Sequence, residues 1–300
     1  FISAHHHANV FSIIFLRKLT KLKIIGIERT DISELLIFNN IKEYIKNKLI
    51  YLLVKIYYKK ANLIISNSKS GKKDLIKICN AKVINIPSPS FTHMNKKKLN
   101  NKIDVLKIIA VGRLSRDKGY TIIIKALSKL KINHFSMKIL GDGPEKNNLK
   151  KMIKNYNLEG KIKLIGFKKN TKKYYKEANL FINASLFEGF PNAVVEAISY
   201  CVPVICSNCK GGAHEILLNN KGGDFFQSGN PRSLSEKISL FYKNPKLLNN
   251  KLLLARKNIQ NFSIKNHVDS PLVFAQIEKL VSHTIERMKS FKIAQSPVKN

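Results

Sequence analysis

The chain has 300 residues, 44% of them apolar, enough to bury two cores, and it contains no long low-complexity tract. Its formal net charge is +35, but only 7 of the 54 basic residues are Arg and the lysines are spread through every segment, which argues against a dedicated nucleic-acid reader. Four cysteines are too few for a disulfide framework, Cys206-Ser-Asn-Cys209 has no second pair to complete a zinc site, and no run reaches the roughly 18 uninterrupted apolar residues of a membrane span.

In chain order, residues 1–3 read as the end of a strand, 10–19 as a helix, 22–27 as a strand and 41–58 as an amphipathic helix. Residues 61–66 are then a strand, 69–78 a helix and 83–86 a last short strand. The intervening His5-His-His7-Ala-Asn9 reads as a loop after the first strand, where α/β proteins place ligand contacts, so His6, His7 and Asn9 are candidate cleft residues. Glu28-Arg29-Thr30 follows the second strand, so Glu28 and Arg29 are candidate cleft residues as well. Arg29 is a candidate for a phosphate or an acidic acceptor group, the alternative being an ion pair with Glu28 or Asp31.

Lys96-Lys-Lys-Leu-Asn-Asn-Lys102 is polar and unpatterned, and separates an expected first domain (1–100) from a second (101–265). The second opens with a strand at 106–111 that ends on Gly112-Arg113, and Lys118-Gly-Tyr-Thr leads into a helix over 122–130. Arg113 and Lys118 therefore flank one strand-to-helix loop, and a diphosphate requires such cations to offset its charge. Strands at 137–140 and 162–165 follow, with a helix between them at 145–156 and another at 171–177.

Residues 179–183 are the strand before Glu188-Gly-Phe-Pro-Asn-Ala-Val-Val-Glu196. Gly189 and Pro191 mark its end, Pro191 suits a first helical position, Asn192 is a possible cap, and 193–199 reads as a packed helix. Glu188 then lies on the loop and Glu196 about two turns into the helix. Such a helix start offers unpaired N–H groups to a phosphate, while carboxylates accept from hydroxyls. A sugar nucleotide carries both groups. Cys201 stands just past this helix, where the left-handed conformation favours Gly.

Beyond it come a strand at 202–206, the Gly211-Gly212 loop, helices over 234–242 and 245–259, and helical apolar spacing over 270–290.

These residues resemble the retaining glycosyltransferases of family 4, which have the GT-B fold. The resemblance rests on the two glutamates of Glu188–Glu196 in a Gly-Phe-Pro-Asn variant. It extends to Gly112-Arg113…Lys118-Gly119, Gly141-Asp-Gly-Pro144, Leu164-Ile-Gly-Phe167 and Gly211-Gly-Ala-His-Glu215, in family order. It implies an α/β protein of two Rossmann-like domains whose parallel sheets face each other across a cleft, the amino-terminal one incomplete here, with a final helix (266–300) packing back on it. It implies donor contacts from Gly112, Gly166, Phe167, Gly189, Phe190, Pro191 and Asn192. Arg113 and Lys118 would hold the donor diphosphate, Glu188 the sugar hydroxyls and Glu196 the ribose hydroxyls; Arg113, Lys118 and Glu188 are the catalytic candidates. Many family members carry a histidine where this chain has Glu28-Arg29-Thr30.

The expected activity is transfer of a sugar from a nucleotide diphosphate, a UDP-sugar, to a glycan or polyprenyl-linked acceptor in cell-surface polysaccharide synthesis. No cofactor or metal is expected, since no Asp-x-Asp motif is present. The alternatives are a donor-binding fragment without activity and a sugar-nucleotide epimerase of the same fold. The lysine excess suits an anionic membrane surface, and with no recognisable signal peptide the expected location is cytoplasmic, peripheral on the inner face of the membrane.

Overall fold

A computed structural model describes residues 1–19, 23–36, 40–97 and 99–268. Short apolar runs bounded by Gly, Asn and Ser form its strands, and the intervening amphipathic segments form helices that cross over them, so every strand pairing is parallel. The first lobe runs β1 (Ile2–Ala4), α1 (His6–Leu19), β2 (Ile25–Glu28), α2 (Ile41–Tyr57), β3 (Leu63–Ser66), α3 (Lys69–Cys79) and β4 (Val83–Asn85), with the strands in that order across one sheet. Ile13, Ile24, Val54, Tyr58, Ile64 and Leu75 fill its core.

The second lobe comprises β5 (Leu106–Val111), α4 (Tyr120–Leu127), β6 (Phe135–Leu140), α5 (Lys146–Asn155), β7 (Ile162–Gly166), α6 (Lys172–Glu177) and β8 (Leu180–Asn183). It continues with α7 (Asn192–Ser199), β9 (Val204–Ser207), α8 (Ala213–Ile216), β10 (Asp224–Phe226), α9 (Pro231–Lys243), α10 (Pro245–Ile259) and α11 (Ile264–Val268). Its sheet order is β10-β9-β8-β5-β6-β7, so the winding reverses between β5 and β8. Alternation along each strand feeds two cores. Ile108, Leu180, Ile182 and Ile205 join one face of the sheet, and Ile109, Phe181, Val204 and Cys206 the other. Two parallel sheets in two lobes give the GT-B architecture.

The structure departs from sequence expectation at three places. α1 starts at His6 rather than residue 10, because His5 turns the chain with a φ of 75° and Asn9 N–H already donates to the His5 carbonyl. The histidine stretch is therefore a helix start, not a loop. At α7 the roles of two residues are exchanged: Pro191 occupies the cap and Asn192 the first helical position, its side chain accepting from Ser90 Oγ at 2.9 Å. Phe167, which the resemblance places against the donor, is 76% exposed and does not line the crevice described below. The expected helix over 270–290 lies outside the described residues.

The segment joining the lobes is pinned. Asn95 N–H donates to the Ser199 carbonyl (2.8 Å), Lys97 Nζ donates to the Ala178 carbonyl, and Asn249 Nδ2 donates to the Asn100 carbonyl (3.1 Å).

Candidate active site

The reversal between β5 and β8 leaves a crevice at their carboxyl ends, where open α/β sheets hold ligands. A cavity of about 220 Å³ occupies it, lined by Gly112 at the end of β5, Asn183 and Ser185 after β8, Lys118, Tyr120 and Glu188. Phe190, Pro191, Asn192 and Ala193 bring the first turn of α7 to the same space. That turn adds a partial positive charge.

Lys118 reaches this cavity through a 3-10 turn (Arg116–Lys118) followed by Gly119, whose φ is 64°. A side chain at Gly119 would overlap the Ala184 carbonyl, so the loop that carries Lys118 lies directly on the exit of β8. Lys118 Nζ sits 2.7 Å from Glu188 Oε1 and 3.6 Å from Asp117 Oδ2. Ser185 Oγ donates to the same Glu188 oxygen at 2.8 Å. Burial pulls the Lys118 ammonium pKa down, but Glu188 and then Asp117 outweigh it and hold it above its ordinary value. The Tyr120 phenol is pushed up by burial and then by the charges of Glu188 and Asp117, and Cys209 by burial and Glu188 to about 11. Both stay protonated at neutral pH.

Gly112, Lys118, Glu188, Phe190, Pro191 and Asn192 are thus brought together. Arg113 follows Gly112 directly but is exposed, without an ion pair among the described residues. Glu196 stands one turn along α7 from Asn192 and outside the cavity wall. Tyr175 OH donates to its Oε2 at 3.0 Å, and burial raises its pKa against the lowering effect of that bond. Gly166 ends β7, and its carbonyl accepts from Gly141 N–H at 2.9 Å. Tyr120, Asn183 and Ser185 were not singled out from sequence, although Ser185, three residues before Glu188 on a loop, is the kind of neighbour that orients a carboxylate.

The first lobe requires a correction. Asn9 and Glu28 are fully buried and His6 nearly so, and they satisfy one another instead of lining the crevice. His6 Nδ1 is 2.6 Å from Glu28 Oε2, Tyr58 OH and Asn9 Nδ2 both donate to Glu28 Oε1, and Ser3 Oγ donates to Asn9 Oδ1 at 2.7 Å. A carboxylate at 1% exposure demands such partners. His7 is exposed and stacks near His5. Arg29 is exposed and forms neither of the ion pairs considered for it; its carbonyl accepts from Asn67 Nδ2 at 2.8 Å and lies against Gly189. The lobes meet there, and again where Lys69 N–H donates to Glu215 Oε2 at 3.0 Å.

Fold and crevice together define an α/β protein of two lobes with a cavity at the topological switch point of its second sheet. The profile of the family described as glycosyl transferases group 1 matches residues 92–257. An uncharacterised glycosyltransferase of Methanocaldococcus jannaschii is 31% identical over 97% of this chain and 75% of its own length. The chain belongs to the glycosyl transferases group 1 family. It is also 31% identical to an N-acetylgalactosamine-N,N'-diacetylbacillosaminyl-diphospho-undecaprenol 4-alpha-N-acetylgalactosaminyltransferase of Campylobacter jejuni, over 76% of this chain and 62% of that protein. Similar solved structures include Anabaena HepE in complex with UDP (TM-score 0.71, 19% identity, 94% of this chain and 78% of that one). Sucrose-phosphate synthase of Thermosynechococcus elongatus aligns with a TM-score of 0.78 at 16% identity, over 94% and 73%. The chain thus spans between 62% and 78% of these four proteins. Among the described residues no helix is long and apolar enough to cross a membrane.

Proposed function

We propose that the chain is a retaining glycosyltransferase that moves a sugar from a UDP-sugar to a hydroxyl of a glycan or lipid-linked acceptor, with residues 101–265 as the donor domain and 1–100 as the acceptor side. The observation that carries the reading is the Lys118–Glu188 pair, 2.7 Å apart in the crevice between β5 and β8 and beside the start of α7. Lys118, the neighbouring Arg113 and the first turn of α7 would offset the charge of the departing diphosphate, so side chains supply what a metal would otherwise provide. Glu188 spends Oε1 on Lys118 and Ser185, and Oε2 is the acceptor that a donor-sugar hydroxyl would meet. Glu196 would take the ribose hydroxyls once Tyr175 shares its carboxylate. Retention would follow from delivery of the acceptor to the face that the leaving group vacates.

The undecaprenol-linked substrate in the name of the Campylobacter relative supports a lipid-linked acceptor. The amylovoran and colanic acid glycosyltransferases among the other relatives support a place in polysaccharide synthesis. Such an acceptor would bring the protein to the inner face of the cytoplasmic membrane.

Two variants test the division of labour. Lys118→Ala is expected to weaken UDP binding, measured by calorimetry, about tenfold or more, and Glu188→Ala to leave UDP affinity nearly unchanged while cutting sugar transfer roughly a hundredfold. Unaltered UDP binding and transfer in both variants would end the proposal. UDP binding by the wild-type chain without transfer to any acceptor would instead favour a donor-binding role without activity.

A further inference from the structure

Tyr120, the first residue of α4, is 4% exposed, and its ring packs in the core of the second lobe. Its hydroxyl lies at the edge of that core. A methyl group on Gly112 would come within 3.1 Å of the phenol oxygen, so the side chain reaches the carboxyl end of β5, and Tyr120 and Gly112 both line the crevice cavity. Among the described residues nothing donates to this hydroxyl or accepts from it. A Phe ring would fill the same space, so packing does not account for a buried hydroxyl without a partner.

The groups around the cavity decide what the hydroxyl can meet. Lys118 is committed to Glu188 at 2.7 Å and to Asp117 at 3.6 Å, and Ser185 to Glu188 at 2.8 Å. Burial, and then the charges of Glu188 and Asp117, push the phenol pKa up, so it keeps its proton and that proton is uncommitted. A neutral donor that shares a cavity with an ammonium and the first turn of α7 complements an anionic oxygen. The phenol also feels the charge of Glu188, the residue set against the donor sugar above, which puts it at the sugar end of a bound diphosphate. We propose that the Tyr120 hydroxyl donates to a non-bridging oxygen of the distal phosphate, the one that carries the sugar, and so selects nucleoside diphosphates over monophosphates. The inference rests on the donor-pocket reading of the crevice and adds to it a residue that discriminates by phosphate number.

Calorimetry on the full chain with UDP and with UMP tests it. Tyr120→Phe is expected to bind UDP about tenfold more weakly than wild type and to bind UMP, which lacks the distal phosphate, as wild type does. Thermal melting of the variant is expected to match wild type, because the hydroxyl has no protein partner to lose. Equal UDP affinity in wild type and variant would overturn the inference and leave the donor reading standing, whereas wild type that binds no UDP would bring down the donor reading itself. A parallel loss of UDP and UMP affinity, or a melting temperature lowered by several degrees, would assign the hydroxyl to the support of the pocket and overturn the inference as well.

Discussion

Cys201 closes α7 in the left-handed region, with a φ of 57°. Cys201 N–H donates to the Ile198 carbonyl and Val202 N–H to the Ala197 carbonyl, the paired bonds of a Schellman ending, which normally uses Gly. The sequence alone predicts that Cys201→Gly raises thermal stability by relieving about 1 kcal/mol of backbone strain. The structure adds the opposing effect. The side chain is buried and its Sγ donates to the Asn95 carbonyl at 3.2 Å, so its removal leaves a cavity worth on the order of 1 kcal/mol, and the Asn95 carbonyl keeps Arg256 as a donor. The two effects nearly cancel. Cys201→Gly is therefore expected to leave the melting temperature within about 2 °C of wild type or slightly below it. A rise of several degrees in a thermal melt would mean that strain outweighs packing.

Between elements, the His6–Glu28 pair holds α1 to β2, and Tyr58, just past α2, completes it. Burial disfavours the imidazolium, but the bond to Glu28 and the charges of Glu28, Glu34 and Asp31 prevail and raise the His6 pKa above 6.5. A raised folded value means that the pair stabilises the fold fully below pH 6.5, and that its contribution is lost as pH climbs through the folded pKa. Denaturant unfolding of wild type and His6→Gln between about pH 6 and about pH 9 should show a gap that narrows toward the alkaline end. A constant gap would mean that His6 does not change protonation there.

This network also shows where sequence reading runs out. Strands β3, β5 and β8, and helix α10, were legible from apolar runs and their Gly, Asn and Pro boundaries. The carboxylate and cation of the crevice were legible because Lys118 and Glu188 each follow a strand closely. His6, Asn9 and Glu28 looked equally like cleft residues, because a polar residue after a strand has the same signature whether it faces a ligand or a buried partner. Only the third dimension brings Tyr58 to Glu28 from thirty residues away.

At the scale of the molecule, the site depends on how closely the lobes approach, and backbone sets that distance at Gly189. Its φ is not in the positive range, so the residue is not required to be Gly by conformation. A methyl group there would instead overlap the Arg29 carbonyl and press on Thr30, both backbone atoms of the first lobe that no rotamer change can move. Gly211 is locked from the other side, where a side chain would overlap the Glu188 carbonyl. Glu188 therefore stands on a loop clamped between the Arg29 loop of one lobe and the Gly211 loop of the other. Gly189→Ala should push the two lobes apart while leaving the crevice itself, with Lys118 and the start of α7, in place in the second lobe. Transfer is then expected to fall more than about tenfold with UDP affinity nearly kept, because alignment of acceptor and donor needs the lobes in register and nucleotide binding does not. If Gly189→Ala instead lost UDP affinity and transfer in equal measure, the loop would be supporting the donor pocket itself rather than the approach of the two lobes.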